Sequence, residues 1–286
     1  MSAVEVIREI DPSARIAPGC KVGPFCRIGP DVTLGPGTVL QRRVTVLGRT
    51  QIGSGNRIAE GCVLGAAPQD LKYRGEPTLL IIEHNNLIGR NVTAHLGTEM
   101  GGHLTRIGSG NRIDDGAHIG HDCYVDDHTR IGRNVLLAGH IRVADGAVIA
   151  DRVGVHQFVT IGEWAKVGLQ TPVRRDVPPF TFYFTEDCDT IPPAVRGPHE
   201  AGLAAAGLSA AEQRELRLAL RELFDNEYAL QTKLEGLLNL GVEGQTERLC
   251  EFCQRSLRGK GGRYRENFRG LMPPEAKRYL PAELRG

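Results

Sequence analysis

Residues 131–149 read Ile131-Gly132-Arg133-Asn134-Val135-Leu136-Leu137-Ala138-Gly139-His140-Ile141-Arg142-Val143-Ala144-Asp145-Gly146-Ala147-Val148-Ile149. Every sixth residue, Ile131, Leu137, Val143 and Ile149, is aliphatic. The register extends in both directions. Downstream it continues through Val155, Ile161 and Val167 to Val173. Upstream it runs back through Val125, Ile119 and Ile113 to Ile107. A second block steps by six from Ile10 to Leu64 without a miss. The residue two before each aliphatic is small or β-branched: Cys20, Cys26, Val32 and Thr38 in one block, Ala117, Cys123, Thr129 and Val135 in the other. Residues i and i−2 share one face of a strand, so each hexad presents one large and one small inward side chain. Gly23, Gly29 and Gly35 follow their aliphatics directly, and Pro12, Pro18, Pro24, Pro30 and Pro36 stand two after theirs, which is corner chemistry.

Short strands alternating with corners close into a solenoid of narrow, triangular section, with three hexads to a coil and coils about 4.8 Å apart. The period breaks twice between the blocks. Asp70 and Glu76 fall where aliphatics belong, which marks an excursion over about 66–81. A second, about 99–105 near Gly101-Gly102-His103, shifts the phase by one. After Asp176-Val177-Pro178-Pro179-Phe180 the texture changes. The expected organisation is a β-solenoid over 1–180, a connector over 181–198 and a small α-helical domain over 199–286. Ser209 and Glu212 form a capping-box pattern ahead of a helix with Leu216, Leu220, Leu223 and Phe224 on one face. A second helix is expected over 246–257, with Leu249, Cys250, Cys253 and Leu257 inward. The Gly- and Arg-rich tail from Gly259 reads as flexible.

Composition narrows the function. Lys and Arg number 35 against 34 Asp and Glu, a net charge of +1, which gives no field for nucleic acid. The first residues lack a secretion-signal pattern and no apolar run reaches transmembrane length. Seven cysteines lie without disulfide spacing. The expectation is a cytoplasmic protein with reduced thiols and no stable membrane insertion.

Histidines are what the repeat does not explain. His103 and His121 are 18 apart, and His140 and His156 follow within one residue of the same corner column. Two chemistries suit such a column. Three imidazoles can hold a catalytic zinc ion. Alternatively, one histidine oriented by a carboxylate serves as a general base, for which His121-Asp122 is suited.

The hexads resemble the left-handed β-helix of the hexapeptide acyltransferase superfamily, and the hand comes from that resemblance. A narrower likeness rests on Gln69-Asp70-Leu71-Lys72-Tyr73, Val92-Thr93-Ala94-His95 with Gly97-Thr98, Ala117-His118-Ile119-Gly120-His121-Asp122-Cys123, Leu137-Ala138-Gly139-His140 and Val155-His156-Gln157-Phe158. Over about residues 10–258 the chain is similar to the acyl carrier protein-dependent UDP-N-acetylglucosamine O-acyltransferases of lipid A synthesis. That resemblance implies a homotrimer with clefts between subunits, acyl carrier protein as donor and partner, a nucleotide-sugar acceptor, and no cofactor or metal. It implies His121 as base, Asp122 as its orienter and the Gly139 N–H at the oxyanion. Gln69, Asp70, Lys72, His95, His118, His140, His156 and Gln157 would bind substrate. His95 is expected on a different corner, reaching the column only from a neighbouring chain.

Two departures carry expectations. The family's acyl-length position, where glycine admits long chains, is Leu169 after Gly168, so a shorter acyl chain is expected. Phe184-Thr185-Glu186-Asp187 replaces a Gly-Asn pair, and Ala205 and Ala206 stand where arginines are usual. Arg196, His199 and Glu200 are the remaining nucleotide-binding candidates. The competing readings are a divergent paralogue acylating another sugar or amine, a γ-carbonic anhydrase-like zinc hydro-lyase, and a non-catalytic scaffold.

Overall fold

A computed structural model of the chain describes residues 8–225, 229–271 and 280. The hexads form strands, mostly two residues long, that stack into three parallel sheets. Each sheet is one face of a prism. The first face carries Ile28, Val46, Leu64, Ala94, Ile119, Leu137 and Val155. The second carries Leu34, Ile52, Ile82, Ile107, Val125, Val143 and Ile161. The third carries Leu40, Ile58, Ile88, Ile113, Ile131, Ile149 and Val167. The small inward positions fill the space between the large ones: Cys26, Cys62, Ala117, Cys123, Val135 and Ala147 are buried in the same core. Burial pushes the Cys62 thiol up to about 11 and the Cys123 thiol up to about 12, so both act as inert core residues.

The corners obey one rule. The residue three after each aliphatic often takes a left-handed backbone even when it is not glycine, as at Asp31, Asn91, Asp122, Asn134, His140 and Phe158. Asp122, His140 and Phe158 occupy this same position on successive coils, with φ of 59°, 63° and 65°. Their side chains therefore leave the prism in register, one coil spacing apart.

Both excursions leave the same edge, between the first and second faces. One connects strand Val63–Ala66 to Leu79–Ile82, and the other connects Thr93–His95 to Leu104–Ile107. Half of the expected connector is strand: Thr181–Phe184 extends the third face and pairs antiparallel with Ala194–Pro198. Four α-helices follow among the described residues, α1 (Glu200–Ala205), α2 (Ala210–Phe224), α3 (Leu230–Asn239) and α4 (Gly244–Arg258). They bury Leu203, Leu216, Leu220, Leu223, Leu234, Leu249, Cys250 and Cys253 against Phe180. Leu257, expected inward, is 46% exposed. It follows Cys253 by one turn, but α4 ends at Arg258 and the core ends before it. The segment after Gly259, expected as a loose tail, contains a 3-10 turn over Tyr264–Phe268 and lies along the prism. Asp176 anchors it, taking the Tyr264 N–H at 2.9 Å and giving its own N–H to the Gly262 carbonyl at 2.7 Å. The tail beyond Leu271, apart from Leu280, lies outside the described residues.

Candidate active site

The edge between the first and second faces gathers six histidines, His95, His103, His118, His121, His140 and His156, from four coils, and its centre is Asp122. This carboxylate is fully buried. It accepts the Thr98 N–H and hydroxyl, each at 2.7 Å, and His121 Nδ1 at 2.6 Å. Its own N–H donates to Thr105 Oγ1 at 2.8 Å. Because a carboxylate only accepts, the His121 proton sits on Nδ1 and Nε2 carries the lone pair. The second excursion packs against this carboxylate: Thr98 caps its 3-10 turn, and a Cβ on Gly101 would stand 2.1 Å from Asp122 Cγ.

Around the pair, His140 lies edge-on to His121 with ring centroids 5.1 Å apart, its Nδ1 3.8 Å from Asp122 Oδ2. Burial pulls the His140 imidazole down to about 4, the Asp122 charge opposing and His121 assisting. Its ring stacks on Phe158 at 4.4 Å and 6°. Arg265 Nε donates to the His140 carbonyl at 3.0 Å, and the Arg269 guanidinium lies 4.5 Å from the Phe158 ring centre. His118, bonded to Thr93 Oγ1 at 2.8 Å, is also lowered, first by burial and then by His95 and His121. Gly139 lies under the His121 ring, where a Cβ would meet Cε1 at 2.6 Å.

His95 is not on another corner. Ala94 pairs with Ile119, so His95 stands one coil from His118 on the same edge, with ring centroids 5.2 Å apart. Its Nδ1 reaches the Ala67 carbonyl at 2.7 Å, which ties it to the root of the first excursion. Counting by 18 misplaced it because 13 residues separate Ala94 from Ile107 where six would carry the coil. Asp70 lies within electrostatic reach of His140, while Gln69 and Lys72 are exposed on the same excursion. His156 and Gln157 are exposed on the coil above.

Other candidates are elsewhere in the chain. Gly168 and Leu169 follow the third face, on the edge leading to the first; Leu169 is 50% exposed. His199 holds the Trp164 carbonyl at 2.8 Å, Glu200 pairs with Arg217 at 2.8 Å, and Arg196 donates to the Phe184 carbonyl at 3.2 Å. The structure does not bring these three to the histidine edge of their own chain. Sequence reasoning missed Thr105, Arg265 and Arg269, and gave Thr98 and Phe158 no role. The phase shift after Ala94 was the available signal for Thr98; for the tail arginines composition pointed the other way. His121, Asp122 and His140 bring ligand atoms within 4.8 Å of one another, a spacing an ion could bridge. The Asp122 oxygens are already engaged by Thr98 and His121, which fits an orienting carboxylate better than a ligand.

Stacked hexads define the class, a hexapeptide-repeat transferase, and residues 104–139 match the model of the bacterial transferase hexapeptide (six repeats) family. An acyl-(acyl-carrier-protein)-UDP-N-acetylglucosamine O-acyltransferase of Synechocystis is 38% identical over 220 residues, 77% of this chain and 78% of the relative. One of Myxococcus xanthus is 38% identical over 213 residues, 74% of this chain and 81% of the relative. The solved structure of LpxA from Acinetobacter baumannii, 35% identical, covers 85% of this chain and 93% of its own with a TM-score of 0.78. That of the Francisella novicida UDP-N-acetylglucosamine acyltransferase, 27% identical, covers 98% and 97% with a TM-score of 0.82. The chain belongs to the acyl-(acyl-carrier-protein)-UDP-N-acetylglucosamine O-acyltransferase family. It is an acyltransferase built on a left-handed parallel β-helix. Nothing in these likenesses favours the zinc hydro-lyase, the scaffold or a different acceptor.

Proposed function

We propose that the protein transfers a 3-hydroxyacyl group from acyl carrier protein to the 3-hydroxyl of UDP-N-acetylglucosamine, at the head of lipid A synthesis, with His121 as general base. The observation that carries this is the His121 Nδ1 to Asp122 contact at 2.6 Å, which leaves Nε2 as the basic nitrogen. In the step, Nε2 takes the proton of the sugar hydroxyl while its oxygen attacks the thioester carbonyl. The C–O bond forms, the C–S bond breaks, and the imidazolium returns its proton to the departing thiolate. Acid-base transfer of this kind balances without a further cofactor.

The oxyanion of the intermediate needs a preorganised donor. On the other two edges, some N–H groups two residues after an aliphatic are capped by an aspartate one coil above. Ser109 donates to Asp127 at 2.7 Å, Asp127 to Asp145 at 2.8 Å, and Arg133 to Asp151 at 2.9 Å. At the histidine edge the capping position is Gln157, and among the described residues the Gly139 N–H donates no hydrogen bond. An open N–H beside the base supports Gly139 as the oxyanion donor. His95, His118 and His140 form the polar wall for the sugar, and His156, Gln157 and the Gln69-Asp70-Lys72 excursion flank it.

The working unit in this reading is a cytoplasmic homotrimer. It is supported by the separation, within one chain, of the histidine edge from Leu169 and from Arg196, His199 and Glu200. A site that uses both needs a second copy. No helix among the described residues is long and apolar enough to cross a membrane.

His121→Ala tests the assignment. Turnover with 3-hydroxyacyl carrier protein should fall by roughly 100- to 10,000-fold, with the thermal midpoint and nucleotide-sugar binding retained. Turnover within a factor of three of the parent enzyme would remove His121 from the mechanism.

A further inference from the structure

After α4 the chain turns back and runs along the histidine edge. Its anchors succeed one another down the prism. Arg263 donates to the Arg174 carbonyl at 2.9 Å and Tyr264 to Asp176 at 2.9 Å. Arg265 then donates to the His140 carbonyl at 3.0 Å. Finally Gly270 sits against the second excursion, where a Cβ would be 3.3 Å from Met100 Cε. Residues 263–270 are therefore a wall of the site edge.

The two arginines that reach this edge differ in kind. Arg265 is 7% exposed and lies over the Tyr124 ring at 5.4 Å, which makes it a structural pin. Arg269 has a side chain 58% exposed. Its guanidinium rests on Phe158, and Phe158 stacks in parallel on His140. One edge of the guanidinium, Nε and Nη2, is held by Glu266 Oε1 at 2.9 and 2.5 Å. Glu266 is itself shared with Arg263, so two cations meet one carboxylate. Among the described residues Arg269 Nη1 makes no hydrogen bond. The result is a guanidinium fixed on an aromatic shelf, with net positive charge and donors turned to solvent, two rings (Phe158 and His140) from the His121 imidazole. A planar, prepositioned fork of this kind matches a phosphate group.

We propose that Arg269 is a specificity-determining residue that binds a phosphate of one substrate at the histidine edge. The inference rests on the acyl transfer proposed above. Both substrates of that reaction bring phosphate: the nucleotide sugar as a diphosphate, the carrier protein as the phosphodiester of its prosthetic arm.

The test is steady-state kinetics of full-length Arg269→Ala and Arg269→Lys, with each substrate varied in turn. Losing a charge-assisted hydrogen bond raises KM by roughly 10- to 100-fold for the substrate that Arg269 holds, with kcat within about threefold and partial recovery in the lysine variant. A rise confined to the nucleotide sugar identifies the diphosphate, and one confined to the acyl carrier protein identifies the phosphodiester. Unchanged KM for both substrates, or a fall in kcat alone, overturns the proposal. If the parent enzyme turns over neither substrate, the acyl-transfer reading fails by itself. Arg269 is then judged by calorimetric titration with UDP and with phosphopantetheine. Weaker binding of either by Arg269→Ala supports the phosphate site, and equal binding of both overturns it.

Discussion

At the scale of the residue, burial sets the protonation of the site. His140 is held as a neutral imidazole with its pKa near 4, chiefly by desolvation. An unfolded histidine takes its proton near 6.5, so below that pH the unfolded chain binds a proton that the native chain refuses. Native stability therefore falls as pH drops from about 6.5 toward 4, by up to about 3 kcal/mol for a shift of this size. Asp176 runs the other way. Burial raises it to about 6, so its contribution is fully present below the unfolded carboxylate value and is lost as pH rises through 6. Between pH 4 and 6 the two oppose each other, and acidification relieves Asp176 while it penalises His140. Removing the imidazole isolates one of them. His140→Gln should lower the thermal midpoint at pH 7, because the Phe158 stack is lost, yet lose less than the parent on going to pH 4.5. Parallel midpoint curves for the two proteins across that range would show that His140 does not carry the acid dependence.

At the scale of the element, local rules were followed closely where sequence signals were local. Ser209 accepts the Glu212 N–H at 3.3 Å, and Glu212 returns to the Ser209 N–H at 2.8 Å. Ser209→Ala removes the first of these and should destabilise the protein by about 1 kcal/mol, read as a lower midpoint in urea with unchanged slope. No change in midpoint would mean that α2 is fixed by packing alone. The hexads were legible for the same reason: Ile10 through Leu64 and Ile107 through Val173 announce their faces by position, and the corner that carries His121-Asp122 stands out because charged and imidazole side chains occupy turn positions. What was not legible came from contacts distant in sequence. Thr98 meets Asp122 across 24 residues and Arg265 meets His140 across 125. No period relates such positions. A fixed ruler carried over an insertion puts His95 on the wrong corner, and Gly- and Arg-rich composition says nothing of the Asp176 anchor that ties down residues 262–264.

At the scale of the whole molecule, the proposed site draws on two edges of the prism. Six of the nine histidines and both excursions lie on the edge between the first and second faces, while Leu169 lies on the edge between the third and first. A rigid solenoid cannot bend one edge onto another, so a residue at Leu169 that limits acyl length must act on the histidines of another copy. Mixed assemblies distinguish action within a chain from action between chains. The double variant His121→Ala/Leu169→Gly has an open acyl slot and no base; the parent chain has a base and a closed slot. Neither protein alone should turn over long-chain acyl carrier protein. A co-expressed mixture, purified through two different tags, should turn it over, because a parent base then faces an open slot on its neighbour. The Leu169→Gly protein serves as the positive control. Long-chain turnover by that control but not by the mixture would place base and slot in one chain, and a monomeric mass by sedimentation would remove the shared site altogether.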